Sequence, residues 1–459
     1  MPPPLVNESR KIRLIWTEES GRILDRQLID SRSAKVVAIL GDKRSEERRF
    51  DTMRYWSVMN DDHGRIFLTA RFGKGKSASR CMRTALFANC TNALRQIHTN
   101  QDHPCISWSQ LRLVPRVAEK EVDACGENVA TNLGLVKTKQ NQLIAFGGEA
   151  GEGTPRTNFI HKQRRHPSQQ KTGIAMLEAS GSIDHLLTRG WSSTKKDIIQ
   201  GDANGCIERY FKTSNYTQYL CKYDSQLSLV LQPCCMNQEK TANIRLYARA
   251  NLNASGGGRS VQTTLISSVS GEQQEPFKLI QFLDGGLYSS KFAAANDIYI
   301  FLVNTNPVNP NTFLALFPVV LRASNSAFFA LACSLDGVLF SPPWPILQTA
   351  TFKEGRPYDL PIDGFISSNK LIHFFIHVNV QGIVPSAKAG FPPHLLRLSM
   401  RRTALEQYTK QALALLEEHR HSLLPALLSL SGRTNTAYYE VASEFTERRR
   451  RRRRHKIPQ

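Results

Sequence analysis

Short apolar runs recur along the chain in pairs, each pair separated by a polar turn or loop. The runs are mostly four to seven residues long, contain many β-branched and aromatic residues, and end at Asn, Ser, Gly or Pro. Runs of this kind are typical of β-strands, and a nearly continuous apolar run indicates a strand buried on both faces. Five pairs are found, at residues 49–59, 133–146, 227–248, 298–317 and 364–376.

A second pattern follows three of these pairs. It consists of a further apolar run, a turn containing Ser, Asp or Gly, and then an aromatic or apolar residue, at residues 173–191, 261–280 and 328–341. Ser, Asp and Gly are the residues that tight hairpin turns require. A unit of four strands is therefore expected five times along the chain.

Four-stranded units at a loose period predict a β-propeller, because blades set around an axis hide most of their strand edges. We expect an all-β, five-bladed β-propeller over residues 40–400, after an N-terminal segment at 1–39. Apolar residues at helical spacing predict a helical segment at 401–430, packed outside the ring. Residues 431–459 are expected to be a disordered basic tail. A β-sandwich of the same strands is the alternative, but it does not explain their repeated order.

The net charge of +21 indicates that anionic partners should be considered. Seven consecutive arginines at residues 448–454, together with Lys456, supply eight of these charges. Such a chain is compatible with nucleic acid, an acidic polysaccharide or an anionic membrane surface as a partner. No aromatic residue interrupts the arginines, so we expect at most weak contact with nucleic acid or an anionic surface, without base stacking.

Several other classes of protein are not indicated. No apolar run approaches the length of about 20 residues that a membrane-spanning helix needs. The first residues lack the positive start and apolar core of a signal peptide, so we expect a cytoplasmic or nuclear protein. The nine cysteines form no pair of C-x-x-C motifs that would frame a zinc site. We expect no cofactor, no metal and a monomer.

Short motifs near the predicted strands add a resemblance. A Glu-Glu-Arg-Arg-Phe stretch with Glu47 and Arg48 precedes the first pair, and further matches occur at residues 205–209, 246–251, 256–259 and 361–364. With these motifs the chain resembles the five-bladed propellers of the glycoside hydrolase superfamily that includes invertase, levansucrase and arabinanase. It also resembles propeller enzymes that phosphorolyse mannosides. In those proteins the first motif reads E-D-P-R, so Glu47 and Arg48 depart from its Asp-Pro.

The resemblance implies cleavage of a glycosidic bond near the ring axis, which requires two facing carboxyl groups. Asp363 is the first candidate, because it lies in a polar gap where the fifth inner strand begins and Gly364 leaves room for a ligand. Glu208, next to Arg209, is the candidate proton donor, and Glu47 is the third candidate. The structural alternatives are an Asp that caps a turn and an ion pair between Glu208 and Arg209.

Candidate substrate-binding residues are cationic or amide side chains near strand ends. Planar guanidinium and amide groups suit sugar hydroxyls, carboxylates, sulfates or phosphates. The candidates are Arg249, Asn251, Arg259, His377 and Arg48. The three glycines at 256–258 also fit a bare hairpin, and His377 also fits a hydrogen-bonded residue at the rim.

Two functions follow from these expectations. The first is a glycosidase or glycoside phosphorylase that acts on a carbohydrate, neutral or anionic, at the central funnel. The second is a propeller without catalytic activity that binds a glycan or a protein at the same place. Two carboxyl groups within about 10 Å of each other at the axis favour the enzyme.

Overall fold

A computed structural model provides the structure of the chain. It describes the following residues, with side chains for part of them: 35–39, 54–60, 66–73, 82–83, 86–90, 112–113, 131–138, 142–148, 174–179, 193–199, 226–232, 243–251, 259–283, 296–298, 300–321, 326–349, 358–380 and 394–430. These residues form 25 strands and one helix. The chain is therefore an all-β protein with one added helix.

The strands form five sheets, numbered here along the chain. Strand β1 (Lys35–Ile39) joins the last sheet. Sheet 1 consists of β2 (Arg54–Asn60), β3 (Ile66–Gly73), β4 (Met82–Arg83), β5 (Leu86–Cys90) and β6 (Arg112–Leu113). Sheet 2 consists of β7 (Thr131–Lys137), β8 (Leu143–Gly148), β9 (Ile174–Ala179) and β10 (Ser193–Ile199).

The other three sheets follow in chain order. Sheet 3 consists of β11 (Ser228–Leu231), β12 (Asn243–Asn251), β13 (Arg259–Ser267) and β14 (Lys278–Leu279). Sheet 4 consists of β15 (Gln281–Phe282), β16 (Asn296–Ile298), β17 (Leu302–Thr305), β18 (Phe313–Leu321), β19 (Ser326–Ser334), β20 (Leu339–Phe340) and β21 (Trp344–Thr349). Sheet 5 consists of β22 (Tyr358–Pro361), β23 (Ile366–Ser367), β24 (Leu371–Val380), β25 (His394–Arg401) and β1.

The five sheets contact one another in a cycle. Strand β2 contacts β7, β7 contacts β11, and β11 contacts β17. Strand β18 contacts β22, and β2 in turn contacts β23 and β24. Each sheet thus touches the next, and the fifth touches the first. The protein is a β-propeller. The strands β2, β7, β11, β17 and β22, which take part in most of these contacts, are called the inner strands.

Alternation of side chains along the strands explains why the apolar runs are nearly continuous. On β18, Phe313 and Phe317 pack in a core shared with sheet 3, whereas Leu314 and Leu316 pack in a core shared with sheet 5. Successive residues of a strand point to opposite faces, so a blade between two neighbours needs apolar residues at every position. A third core joins sheets 2 and 3 through Phe146 and other buried residues.

Helix α1 (Arg402–Leu430) begins directly after β25 and packs on sheets 4 and 5. Its buried face includes Leu405, Tyr408 and Ala412, which belong to the core between those sheets. The Tyr408 hydroxyl donates a hydrogen bond to the Leu331 carbonyl at 3.1 Å, and its ring lies against Trp344 with centroids 4.3 Å apart. No helix within the described part of the chain is long and apolar enough to cross a membrane.

The sequence prediction of an all-β propeller with a C-terminal helix is confirmed. Two differences concern strands at its edges. Residues 35–39, placed in the segment before the ring, form a strand paired with β25. The predicted strand at 298–303 is two strands, β16 and β17, which pair separately with β18. The predicted basic tail at 431–459 lies outside the described residues, and the division into four segments stays a prediction.

Candidate functional site

Four polar side chains from four sheets meet where the inner strands come together. They are Ser57 on β2, Gln226 just before β11, Asn304 on β17, and Asp363 between β22 and β23. These four residues are called the axial cluster. Ser57, Gln226 and Asp363 are each less than 5% exposed, and Asn304 is partly buried. Their convergence brings together residues that are distant in the sequence.

The backbone of Asp363 joins sheet 5 to sheet 1. Its amide donates to the Trp56 carbonyl oxygen at 3.0 Å, and its carbonyl accepts from the Val58 amide at 2.6 Å. Asp363 therefore forms a parallel bridge with Ser57. The next residue, Gly364, has a φ of 102°, which L side chains rarely adopt. A Cβ at this position would overlap the Val58 carbonyl oxygen, so the close approach of the two strands requires glycine.

The Asp363 carboxyl lies in a nearly dry environment. Its Oδ1 accepts a hydrogen bond from Asn304 Nδ2 at 3.0 Å, and the Gly364 amide also donates to the carboxyl. Burial raises the pKa of Asp363 to about 7, because desolvation disfavours the charged form more than these two hydrogen bonds favour it. A carboxyl of this kind is partly protonated at neutral pH.

Gln226 connects sheet 3 to sheet 1. Its Nε2 donates to the Trp56 carbonyl at 3.2 Å and to Ser57 Oγ at 3.3 Å. The Trp56 carbonyl is the same acceptor that the Asp363 amide uses. The backbone oxygen of Trp56 therefore accepts hydrogen bonds from both Gln226 and Asp363.

Close contacts also join sheet 3 to sheets 2 and 4. Gly134 on β7 approaches β11 so closely that a Cβ would stand 2.5 Å from the Leu227 carbonyl oxygen. Ser228 Oγ accepts from the Val303 amide at 2.8 Å and donates to the Val303 carbonyl at 3.2 Å. Side chains and glycine thus hold the inner strands together at the level of the axial cluster.

The predicted cationic residues of sheet 3 lie at the end of the sheet that carries Gln226. Ser228 pairs with Tyr247, so continuing this antiparallel register by two residues places Arg249 beside Gln226. Asn251 and Arg259 pair with each other one step further out. Their positions are given by the backbone, and the prediction that they bind a substrate stays a prediction.

His377 lies behind the axial cluster, in the interior. It is on β24, is 1% exposed, and meets the Trp56 ring edge-on with centroids 6.3 Å apart. Contact of His377 with a substrate stays a prediction. Glu47, Arg48 and Glu208 lie outside the described residues. Of the three predicted catalytic residues, the structure therefore describes Asp363.

Sequence reasoning did not single out Ser57, Gln226 or Asn304. All three carried a signal, because each is a polar residue inside or at the border of an apolar run that forms an inner strand. Within the described residues, no group of three or more His, Cys, Asp or Glu side chains could hold a metal ion. The axial cluster consists of three neutral hydrogen-bonding side chains and one carboxyl.

Comparison with known proteins gives similar solved structures. No protein-family model matches the chain, and no curated protein sequence does. A levansucrase of Bacillus subtilis is 9% identical, with a TM-score of 0.46, over 84% of this chain and 92% of that one. An endo-arabinanase of Bacillus licheniformis is 8% identical, with a TM-score of 0.37, over 76% and 94%. A protein of unknown function from Dyadobacter fermentans is 11% identical, with a TM-score of 0.41, over 80% and 99%.

Proposed function

We propose that this protein acts on a carbohydrate at the ring axis, as a glycosidase or glycoside phosphorylase, with Asp363 as a catalytic acid. The observation that carries the proposal is the buried Asp363 carboxyl within the axial cluster. Asp363 was predicted from the sequence as a catalytic residue, and its carboxyl is buried and has a raised pKa.

The raised pKa of Asp363 suits a proton donor. With a pKa of about 7, the carboxyl holds a proton at neutral pH and is also acidic enough to release it to a leaving glycosidic oxygen. Asn304 donates to Oδ1, so the proton is expected on Oδ2. The Asn304 amide would then stabilise the carboxylate that remains after proton transfer.

The reaction also requires a second carboxyl group, which attacks the anomeric carbon or activates a nucleophile. Glu47 is one candidate for it. Glu208, which the sequence predicted as the proton donor, is the other and would then take this second role. A separation of about 5 Å from Asp363 would predict retention of configuration, and a wider one, about 6.5–9.5 Å, would predict inversion. In phosphorolysis, phosphate would attack in the place of the water molecule that a hydrolase uses. Arg48 and Arg249 are the proposed contacts of this phosphate or of the sugar.

A propeller that binds a glycan or a protein without cleaving it is the second candidate. The observation in its favour is the structural role of Asp363. Its backbone links sheets 5 and 1, and the residue is only 4% exposed. In this case the Asp363 carboxyl would only anchor the Asn304 side chain, and the same funnel would bind a ligand without cleaving it.

Asp363→Asn separates the two candidates. Activity is measured on a panel of aryl glycosides and neutral oligosaccharides, with and without phosphate, by reducing-sugar and sugar-phosphate release. A catalytic Asp363 predicts a loss of about 10³-fold in turnover with binding retained. Asp336→Asn, the same change at an exposed turn of sheet 4, is the control and should leave turnover unchanged. Full activity of Asp363→Asn would remove Asp363 from the mechanism, and binding without turnover by the wild type would favour the second candidate.

A further inference from the structure

Among the described residues, only the nitrogen of the Gln226 side-chain amide has hydrogen-bond partners. Its amide nitrogen donates two hydrogen bonds to sheet 1. Its carbonyl oxygen, Oε1, is buried and has no hydrogen-bond partner among the residues that the structure describes. A buried carbonyl without a donor is costly, so such an atom within a polar cluster marks a place where a donor from outside the protein is expected.

The orientation of this amide is fixed by chemistry. An exchange of the nitrogen and oxygen would place Oε1 against the Trp56 carbonyl oxygen, which has no hydrogen to give. The Trp56 carbonyl therefore selects the orientation in which Nε2 faces sheet 1. Oε1 must then point away from these two partners of Nε2.

The surroundings of Oε1 favour a ligand in the axial cluster. Gln226 and the Asp363 amide donate to the same Trp56 carbonyl oxygen, and Ser57, the other partner of Gln226, forms a parallel bridge with Asp363. On the side of sheet 2, Gly134 lies against the Leu227 backbone and has no side chain of its own. A group bound beside Asp363 is therefore also within the cluster that contains Oε1.

We propose that Gln226 Oε1 is a ligand-binding group that accepts a hydrogen bond from a hydroxyl of a neutral sugar unit at the axis. This inference rests on the proposed carbohydrate function and narrows it. A hydroxyl carries the proton that an amide oxygen needs, whereas an ionised carboxylate, sulfate or phosphate has none to donate. An anionic group would also lie near the Trp56 carbonyl oxygen, whose partial negative charge disfavours it. The group that contacts Oε1 is therefore uncharged, and any anionic group of the ligand binds further out.

The test compares two glutamines at opposite ends of their sheets. Gln226→Leu removes the proposed contact, and Gln281→Leu is the control, since Gln281 is half-buried and lies on β15, an outer strand of sheet 4. Gln226→Asn is a milder second variant that keeps an amide but withdraws its oxygen by one carbon–carbon bond. All three changes are made in the Asp363→Asn background, so that binding is measured without turnover.

Binding is measured by calorimetry with arabino-, fructo-, manno- and xylo-oligosaccharides of two to six units, and with oligogalacturonides as the anionic probe. For the neutral probe that the Asp363→Asn parent binds best, both Gln226 variants should raise the dissociation constant about tenfold, as for one lost hydrogen bond. Gln281→Leu should leave it within about twofold. Melting temperatures of all variants show that each is folded.

The outcomes separate the two proposals. If the parent binds a neutral probe and the Gln226 variants bind it equally well, Oε1 holds only water and this inference is overturned while the carbohydrate function stands. If oligogalacturonides bind best and Gln226→Leu weakens them, the neutral specificity is wrong. If the parent and the wild type bind no probe, the proposed function fails and this inference fails with it.

Discussion

Asp363 should make the protein less stable as the pH rises from about 4 to about 7. Burial raises the pKa of this carboxyl from its ordinary value of 3.8 to about 7 in the folded protein. Between these two values the unfolded chain has released a proton that the folded protein still holds. Each pH unit of this interval lowers the free energy of unfolding by about 1.4 kcal/mol. The contribution is about 4 kcal/mol in all, fully present below the unfolded pKa and lost by about pH 7.

Asp363→Asn should remove this dependence. The asparagine is neutral at every pH, and its amide oxygen can still accept the hydrogen bond from Asn304. The free energy of unfolding is measured by urea denaturation between pH 4 and pH 8 for the wild type and the variant. All other titrating groups are common to both proteins, so the wild-type value minus the variant value should fall by about 4 kcal/mol over this range.

If the Asp363→Asn curve runs parallel to that of the wild type, within about 1 kcal/mol, Asp363 releases its proton alike in the folded and unfolded chains. The argument that desolvation dominates the environment of this carboxyl would then be refuted, and with it the reason to regard Asp363 as a proton donor at neutral pH.

Three other changes test how the ring is held together, each by the free energy of unfolding from urea denaturation. Gly364→Ala should cost about 3 kcal/mol or more, because its φ of 102° and the Val58 carbonyl both exclude a Cβ; a cost below 1 kcal/mol would contradict the close approach of sheets 5 and 1. Gly134→Ala should also cost several kcal/mol, about 2–4, since the new methyl would press on the Leu227 backbone, and an unchanged stability would argue against this contact. Leu405→Ala should cost about 2–5 kcal/mol, because this side chain is fully buried between helix and sheets; a loss under 1 kcal/mol would show that the helix is not part of the folded core.

The sequence predicts most of the blade strands because their signal is local. Apolar runs bounded by turn residues mark β7, β8, β18 and β24 directly, since both faces of a blade are buried. The turns at Gly271 and Gly337 were likewise indicated by their residues, and both glycines have a φ of 76°. Strand β1 also contains an apolar run, but its partner β25 is more than 350 residues away in the chain, so the run does not show which sheet it joins. Pairing across such a distance is decided by closure of the ring.

The site is only partly predictable for the same reason. Asp363 stands out in the sequence because a charged residue interrupts an apolar stretch next to a glycine. Gln226 and Asn304 are ordinary polar residues at strand borders, and only the relative position of the inner strands shows that they belong with Asp363. That position depends on contacts between sheets, such as the hydrogen bonds of the Ser228 hydroxyl with the Val303 backbone, which no local sequence pattern encodes.

The contact between the first and last sheets also forms part of the candidate site. Sheets 5 and 1 meet at the bridge between Asp363 and Ser57, and the same backbone oxygen of Trp56 receives both the Asp363 amide and the Gln226 side chain. A ligand that pairs with the Asp363 carboxyl or with Gln226 Oε1 would therefore also stabilise the junction between the first and last blades. Because a ligand that binds only the folded protein raises its stability, a bound neutral oligosaccharide should raise the melting temperature. That increase should be smaller in Gln226→Leu and unchanged in Gln281→Leu.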